Sequence, residues 1–321
     1  MSTGPASVRG ASGKFSREGM DVFAAPPTIQ TEVFARLPDE HRILGRESAW
    51  TLARASGPLH SFLEGPSFDR DGFLYCVDLA HGRIFRISPG GDWQVFAEYE
   101  GKPNELKIHR DGRIFVADGQ HGIMFFDPAT ARRTVVLDGL AGPNDLVFAD
   151  NGDLYFTDPG SSSLGEPTGR VFRIRAGGGV DLLMQGLPFP NGLVLTPAQD
   201  FLYVALTYSL QVVRLHLKPD VAGAYRWRGF LQLSGGLGGP DGMAVDEHGN
   251  LAVVHAGFGT VWQFSPLGEP IARVRSCAGI RTTNVAYGGP DRPTLFITES
   301  EQGVILTARM EAPGRRMYSH S

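Results

Sequence analysis

Two carboxylates and two carboxamides, Glu64, Asn144, Asn191 and Asp241, stand at matching places in this sequence, each beside a glycine or proline and each leading into a mostly apolar run. An oxygen-only set of this mixture suits a hard divalent cation. Calcium takes roughly six to eight oxygens in irregular geometry, so water or substrate would complete the shell, and two carboxylates would balance its charge. Zinc ordinarily recruits His or Cys, which the set lacks, so zinc and magnesium are substitutes rather than the first choice. The plainer reading is a polar plug, in which Asn and Asp at strand starts satisfy turn amides and line a wet channel. Asn104 and Asn284, at two further matching places, suit the plug better, with Asn104 also within reach of a substrate.

These six positions fall at intervals of 40, 40, 47, 50 and 43 residues along Glu64, Asn104, Asn144, Asn191, Asp241 and Asn284. A period of this size filled with short strands marks a propeller blade rather than a βαβ unit. Seven or eight residues after each anchor comes a turn pair: Asp71-Gly72, Asp111-Gly112, Asn151-Gly152, Gln199-Asp200, His248-Gly249 and Asp291-Arg292. Most of these tolerate the positive φ of tight hairpins. A β-rich strand follows each turn, and a third strand is plain at residues 83–87 and 260–264. The expected fold is all-β, a six-bladed β-propeller of four-stranded antiparallel blades over residues 29–310, with a flexible N-terminal tail at 1–28 and a C-terminal tail at 311–321. The run Ile29 to Ala35 is expected to supply the outer strand that closes the last blade and protects its edge.

Hairpin geometry brings the residue 14 or 15 places after each anchor back beside it: Asp78, Asp118, Asp158, Ala205, His255 and Glu299. A carboxylate at a strand end accepts backbone N–H bonds from the next turn, the reading preferred for Asp78 and Asp118. His255 breaks the pattern and is expected beside Asp241 near the channel mouth, either as a pocket residue or as a satisfied rim histidine.

Composition narrows the partners. The chain has 321 residues, 42% hydrophobic, with 42 glycines, 22 prolines and a net charge of −4. It is large enough for a substantial core and rich in turn formers, and it has no basic field to draw nucleic acid, which leaves a small molecule as the expected partner. The residues before about Gln30 are rich in Ser, Gly, Ala and Pro and lack an apolar signal core, and no stretch is long and apolar enough to span a membrane. The two cysteines, Cys76 and Cys277, imply no disulfide framework. A cytoplasmic location is the expectation; the oligomeric state is left open.

The segments Leu63-Glu64-Gly65-Pro66-Ser67-Phe68-Asp69, residues 107–116, Pro190-Asn191-Gly192 and Gly239-Pro240-Asp241-Gly242 resemble the gluconolactonase/regucalcin (senescence marker protein) superfamily of six-bladed calcium-dependent lactonases. They are nearest in flavour to its bacterial drug-responsive lactonase branch. The likeness runs from about Thr31 to Arg309. It implies a metal held by Glu64, Asn191 and Asp241, with Asn144 a ligand or a substrate contact; the related diisopropyl fluorophosphatase is similar in its Glu, Asn, Asn, Asp set. Two departures stand out. The animal sugar lactonases carry an Arg two residues before the Asn-Asp pair, where this chain has Gly142, and the drug-responsive branch commonly has Asp in place of Asn144.

The chemistry implied is opening of a lactone, with the divalent ion polarising the carbonyl and Asp241 acting as base or nucleophile. Asp145 and His255 are the candidates for a proton relay. Asn144 and Asn104 are candidate substrate contacts, and Phe189, Tyr208 and Phe258 candidate apolar walls. An organophosphate, fluorophosphate or aryl-ester hydrolase would share the metal set. A non-enzymatic small-molecule-binding propeller would share only the cadence.

Overall fold

The computed structural model describes Met1 and residues 25–54, 56–217, 226–289 and 292–320. Most of the expected N-terminal tail and Asp291 of the sixth turn pair lie outside the described residues. Six antiparallel sheets form a ring, and the first strand of each touches the first strand of the next. The chain is therefore the six-bladed β-propeller that the cadence implies, with inner strands Leu63–Phe68, Pro103–Ile108, Leu146–Phe148, Pro190–Leu195, Pro240–Val245 and Thr282–Gly288.

Six apolar clusters lie between neighbouring blades. Leu74, Cys76 and Phe85 of blade one, for example, pack on Ala286, Phe296 and Ile305 of blade six. A sheet covered on both faces buries the strand next to its inner one, which is why Leu74–Asp78 and Leu154–Asp158 are buried throughout and carry an acid only at the end. The outermost strand Arg133–Leu137 of blade two is mostly exposed. At four of the six hairpin turns the glycine of the expected pair takes positive φ: Gly72, Gly112, Gly152 and Gly249. In the fourth and sixth blades Gln199 and Arg292 adopt the same conformation without being glycine.

Closure follows the expectation and adds to it. The segment from Ile29 to Ala35 is two strands, not one. Glu32–Arg36 pairs antiparallel with Val304–Arg309 and completes blade six, while Thr28–Gln30 pairs parallel with Pro270–Arg275 and adds a fifth strand to blade five. Thr31, between them, donates its N–H to the Arg275 carbonyl at 2.9 Å, and its hydroxyl accepts the Cys277 N–H at 2.9 Å. At the other end, residues 311–320 fold back under the ring. Gly314 bridges to Asp246, Tyr318 stacks on Phe148 with centroids 5.0 Å apart, and Ser319 Oγ donates to the Phe68 carbonyl at 3.1 Å.

Residues 37–54 and 56–62 lie on the opposite face, where the inner strands begin. They hold a short helix, Ala49–Arg54, that no periodicity in the sequence announces. A reciprocal cap starts it: Ser48 Oγ accepts the Thr51 N–H at 3.2 Å and Thr51 Oγ1 accepts the Ser48 N–H at 2.8 Å. Trp50 anchors it against Phe62, Leu59 and Leu79. Removing residues 1–36 would uncover the edge of Val304–Arg309 and the Phe34–Phe296 contact at 5.2 Å. Such a chain is expected to melt more than about 10 °C lower in a thermal unfolding experiment and to aggregate by size-exclusion chromatography; an unchanged melting temperature would show that the N-terminal strands do not fasten the ring.

Candidate metal and substrate centre

Every inner strand carries one residue more than its neighbour at the anchor. Glu64 faces Val77 while Ser67 faces Tyr75; Pro103 faces Asp118 while Glu105 faces Ala117; Pro190, Pro240 and Thr282 open the same irregularity in blades four, five and six. In blade three both Asn144 and Asp145 bond to Thr157: Asn144 N–H to its carbonyl, Asp145 N–H to its Oγ1, and the Thr157 N–H to the Asp145 carbonyl. These are β-bulges, which bend a strand and re-aim its side chains. Here they turn polar groups toward the axis of the ring. After Glu64, Asn191 and Asp241 the next residue is glycine, because it abuts the following blade: a Cβ on Gly65 would sit 2.9 Å from Glu105 Cα, one on Gly192 would strike the Asp241 carbonyl, and one on Gly242 the Asn284 amide.

Four carboxylates meet in this interior: Glu64, Glu105, Asp145 and Asp241, all buried. Burial pushes Glu64 well above the usual carboxylate range, and Asp241, Glu105 and Asp145 push it further, against one N–H bond from Gly65 to Oε2 at 3.1 Å. Asp241 is likewise raised by burial and by Asp145, with the Asn191 amide pulling it back. Glu105 is pushed up to about 8 by burial despite Lys107, and Asp145 to about 6 against Lys107, the Leu146 N–H and Asn284. Lys107 Nζ donates to Glu105 Oε1 at 2.5 Å, and Asn284 Nδ2 donates to Glu105 Oε2 at 2.5 Å and to Asp145 Oδ2 at 3.5 Å. Asp145 Oδ1 is buried with no hydrogen-bond partner.

The charges are unevenly answered. Lys107 is bonded to Glu105 and is held charged by Glu105 and Asp145 ahead of Glu64, whereas Asp241 meets Asp145 and the Asn191 amide. Among the described residues no three His, Cys, Asp or Glu side chains form a set of metal donors, so an ion here would complete its shell with amide oxygens. The Asn191 amide bonds Asp241, and Asn144 lines the cleft above the ring. The pair Glu64 and Asp241, repelling each other in a buried site beside carboxamides, fits a divalent cation. Asn191 is held by Thr207, whose Oγ1 accepts its Nδ2 hydrogen at 3.1 Å and donates to the Pro240 carbonyl at 2.8 Å.

Above the ring lies a cleft of about 190 Å³, lined by Trp50, Arg54, Lys102, Asn104, Asn144 and Phe189 among others. Phe189 takes a left-handed backbone (φ 57°) and stacks on Tyr208 at 4.6 Å. Arg54 lies 4.3 Å over the Trp50 ring.

The structure thus brings Glu64, Asn191, Asp241 and Asp145 to one interior and places Asn144 and Asn104 at its mouth with Phe189 and Tyr208. It does not bring His255 there. His255 pairs with Pro240 in the ladder, its Nε2 lies 3.1 Å from the Gly235 carbonyl, its Nδ1 accepts from Trp262 Nε1 at 3.4 Å, and burial lowers its pKa. Phe258 stays with it, 4.8 Å from its ring, and is not among the residues lining the cleft. The rim acids behave as strand-end acceptors: Asp78 accepts the Phe62 N–H at 2.7 Å and Asp118 the Lys102, Gln120 and His121 N–H groups at 2.8 to 2.9 Å. Glu105, Lys107 and Trp50 are not singled out by the sequence. For Glu105 a signal existed, since it occupies the place after the anchor where three other blades carry glycine.

The model of the SMP-30/Gluconolactonase/LRE-like region matches residues 62–301. The chain is 36% identical over 278 residues to a gluconolactonase of Zymomonas mobilis, covering 75% of this chain and 77% of that protein. It is 29% identical over 224 residues to Lactonase drp35 of Staphylococcus aureus, covering 66% and 69%. Its fold matches a calcium-binding protein, regucalcin, of Agrobacterium tumefaciens with a TM-score of 0.73 at 21% identity, over 92% of this chain and all of that one.

Thr207→Val removes the hydroxyl that holds Asn191 and keeps the shape of the side chain. It is expected to leave the melting temperature within a few degrees and to weaken calcium binding about tenfold or more by titration calorimetry; wild-type affinity would show that Thr207 does not set the amide.

Proposed function

The chain belongs to the SMP-30/gluconolactonase/LRE-like family, and on that premise we propose that it hydrolyses a small-molecule lactone at the mouth of its central channel. Glu64, Asn144, Asn191 and Asp241 would hold one divalent cation, calcium by the character of the donors. A cation held there supplies Lewis acidity to a carbonyl and counter-charge to the oxyanion. The observation that supports the reading is that Glu64 and Asp241 are buried together, with Asn191 bonded to Asp241 and Lys107 bonded instead to Glu105.

The remaining steps belong to the chain's own side chains. Asn144, at the junction of cleft and ring, orients the lactone carbonyl through its amide. Asp241 takes a proton from water as the water oxygen bonds to the carbonyl carbon. The ring C–O bond then breaks, and the departing alkoxide recovers a proton, leaving the open hydroxy acid. Asp145 Oδ1, buried and without a partner, and close enough to Asp241 to raise its pKa, is the acceptor through which that proton can pass. Trp50 and the Phe189–Tyr208 stack wall the cleft against water. Where a sugar-binding arginine would stand, Gly142 leaves the cleft open, which favours a lactone poorer in hydroxyls than an aldonolactone.

Chelator-stripped protein, assayed with and without calcium on lactones, aryl esters and phosphotriesters, is expected to turn over lactones only with the ion. Asp241→Asn is expected to lower kcat/KM about 10²- to 10⁴-fold with an unchanged circular dichroism spectrum. Preference for phosphotriesters would move the substrate class, and full activity of Asp241→Asn would remove Asp241 from the chemistry.

A further inference from the structure

Lys107 is the ammonium that acts on the interior carboxylates, and it sits on one side of them. Its Nζ is 2.5 Å from Glu105 Oε1, and Asn284 ties the other Glu105 oxygen and Asp145 into the same group, at 2.5 and 3.5 Å. The Glu105 side chain is fully buried, whereas Lys107 keeps 22% of its own accessible, facing a cavity of about 80 Å³ underneath. That cavity is closed from below by residues 315–319 and walled by Phe148, Val194, Met243 and Tyr287. Arg315 on its floor is engaged by Asp150 at 2.7 Å and Arg316 is exposed, so neither stands in for Lys107 as counter-charge to the carboxylates. Without Lys107, the buried Glu105 and Asp145 carboxylates would keep the Asn284 amide hydrogens but no bonded cation, a second pair of buried acids beside the first.

From this geometry we infer that Lys107 is a built-in counter-ion: it occupies the Glu105–Asp145 side of the ring and confines the divalent cation to the Glu64–Asp241 side, fixing one ion per chain. The inference rests on the metal reading above. Lys107 is a positioning residue, since its effect on the reaction passes through where the ion sits. It also gives the two bulge acids distinct duties. Glu105 is spent on the ammonium, and Asp145 keeps one oxygen unpaired.

Calcium per chain, read by titration calorimetry on stripped protein, tests it without recourse to activity. Wild type is expected to bind one calcium and Lys107→Met two; the charge-balanced pair Lys107→Met/Glu105→Gln should return to one. Circular dichroism and thermal melting establish that each variant is folded. Should Lys107→Met fail to fold, Glu105→Gln is decisive by itself: it leaves Lys107 uncompensated beside the site and is expected to weaken calcium binding about tenfold or more. A folded Lys107→Met that binds one calcium with wild-type affinity, or a Glu105→Gln of wild-type affinity, overturns the inference while leaving the metal reading intact. Wild type that binds no calcium overturns both.

Discussion

Each inner strand takes in one residue more than its partner can pair, and it does so where the chain enters the sheet. A bulge costs ladder hydrogen bonds and bends the strand, yet six blades repeat it at the same height. In return, side chains that a regular ladder would send alternately into the two seams between blades are aimed at the axis. The apolar seams supply the stability against which this local loss is set. The threonines then lock neighbouring blades together at that height: Thr157 Oγ1 donates to the Asn191 carbonyl, Thr207 Oγ1 to that of Pro240 and Thr283 Oγ1 to that of Leu63, each at 2.8 Å. The position of one amide or carboxylate is therefore a property of two blades at once.

Burying four carboxylates together is unfavourable, because each gives up its hydration and meets like charge, and each is correspondingly hard to ionise. The ring answers this in two ways. On one side an ammonium and a carboxamide are bonded to the acids. On the other Asp241 lies beside the Asn191 amide, and the repulsion between the acids is stored in the folded state. Such stored repulsion is a common property of functional sites, where burial and like charge are kept because binding relieves them.

The architecture was legible because the cadence of anchors and turns is written in residue types: glycine where φ is positive, Asn or Asp where a strand begins. The interior was legible only in part. Glu64, Asn191 and Asp241 could be picked out because each precedes a glycine that close packing of adjacent blades demands. Glu105 was passed over because the cadence of anchors falls on Asn104, although the next place, glycine in three other blades, is where this blade carries its buried acid. His255 was expected beside Asp241 near the channel mouth, as a pocket residue or a satisfied rim histidine; facing a proline across the ladder says nothing of where an imidazole points, and this one turns to Gly235 and Trp262, as the rim reading has it. Trp50 was hidden for another reason. Its helix is held by one reciprocal cap and one buried indole, too short to leave a periodic trace.

Thr28–Gln30 and Glu32–Arg36 find their partners in Pro270–Arg275 and Val304–Arg309, five blades further along the chain. During synthesis the intervening blades can stack one on another as they emerge, but these strands must wait unpaired until those partners have left the ribosome. Nascent protein is therefore an open arc with an adhesive edge at each end, and the same two strands that finish the circle can complete that of a neighbouring copy instead. Crowded expression should for this reason trap linked pairs, in a proportion set by how quickly each molecule finds its own far end.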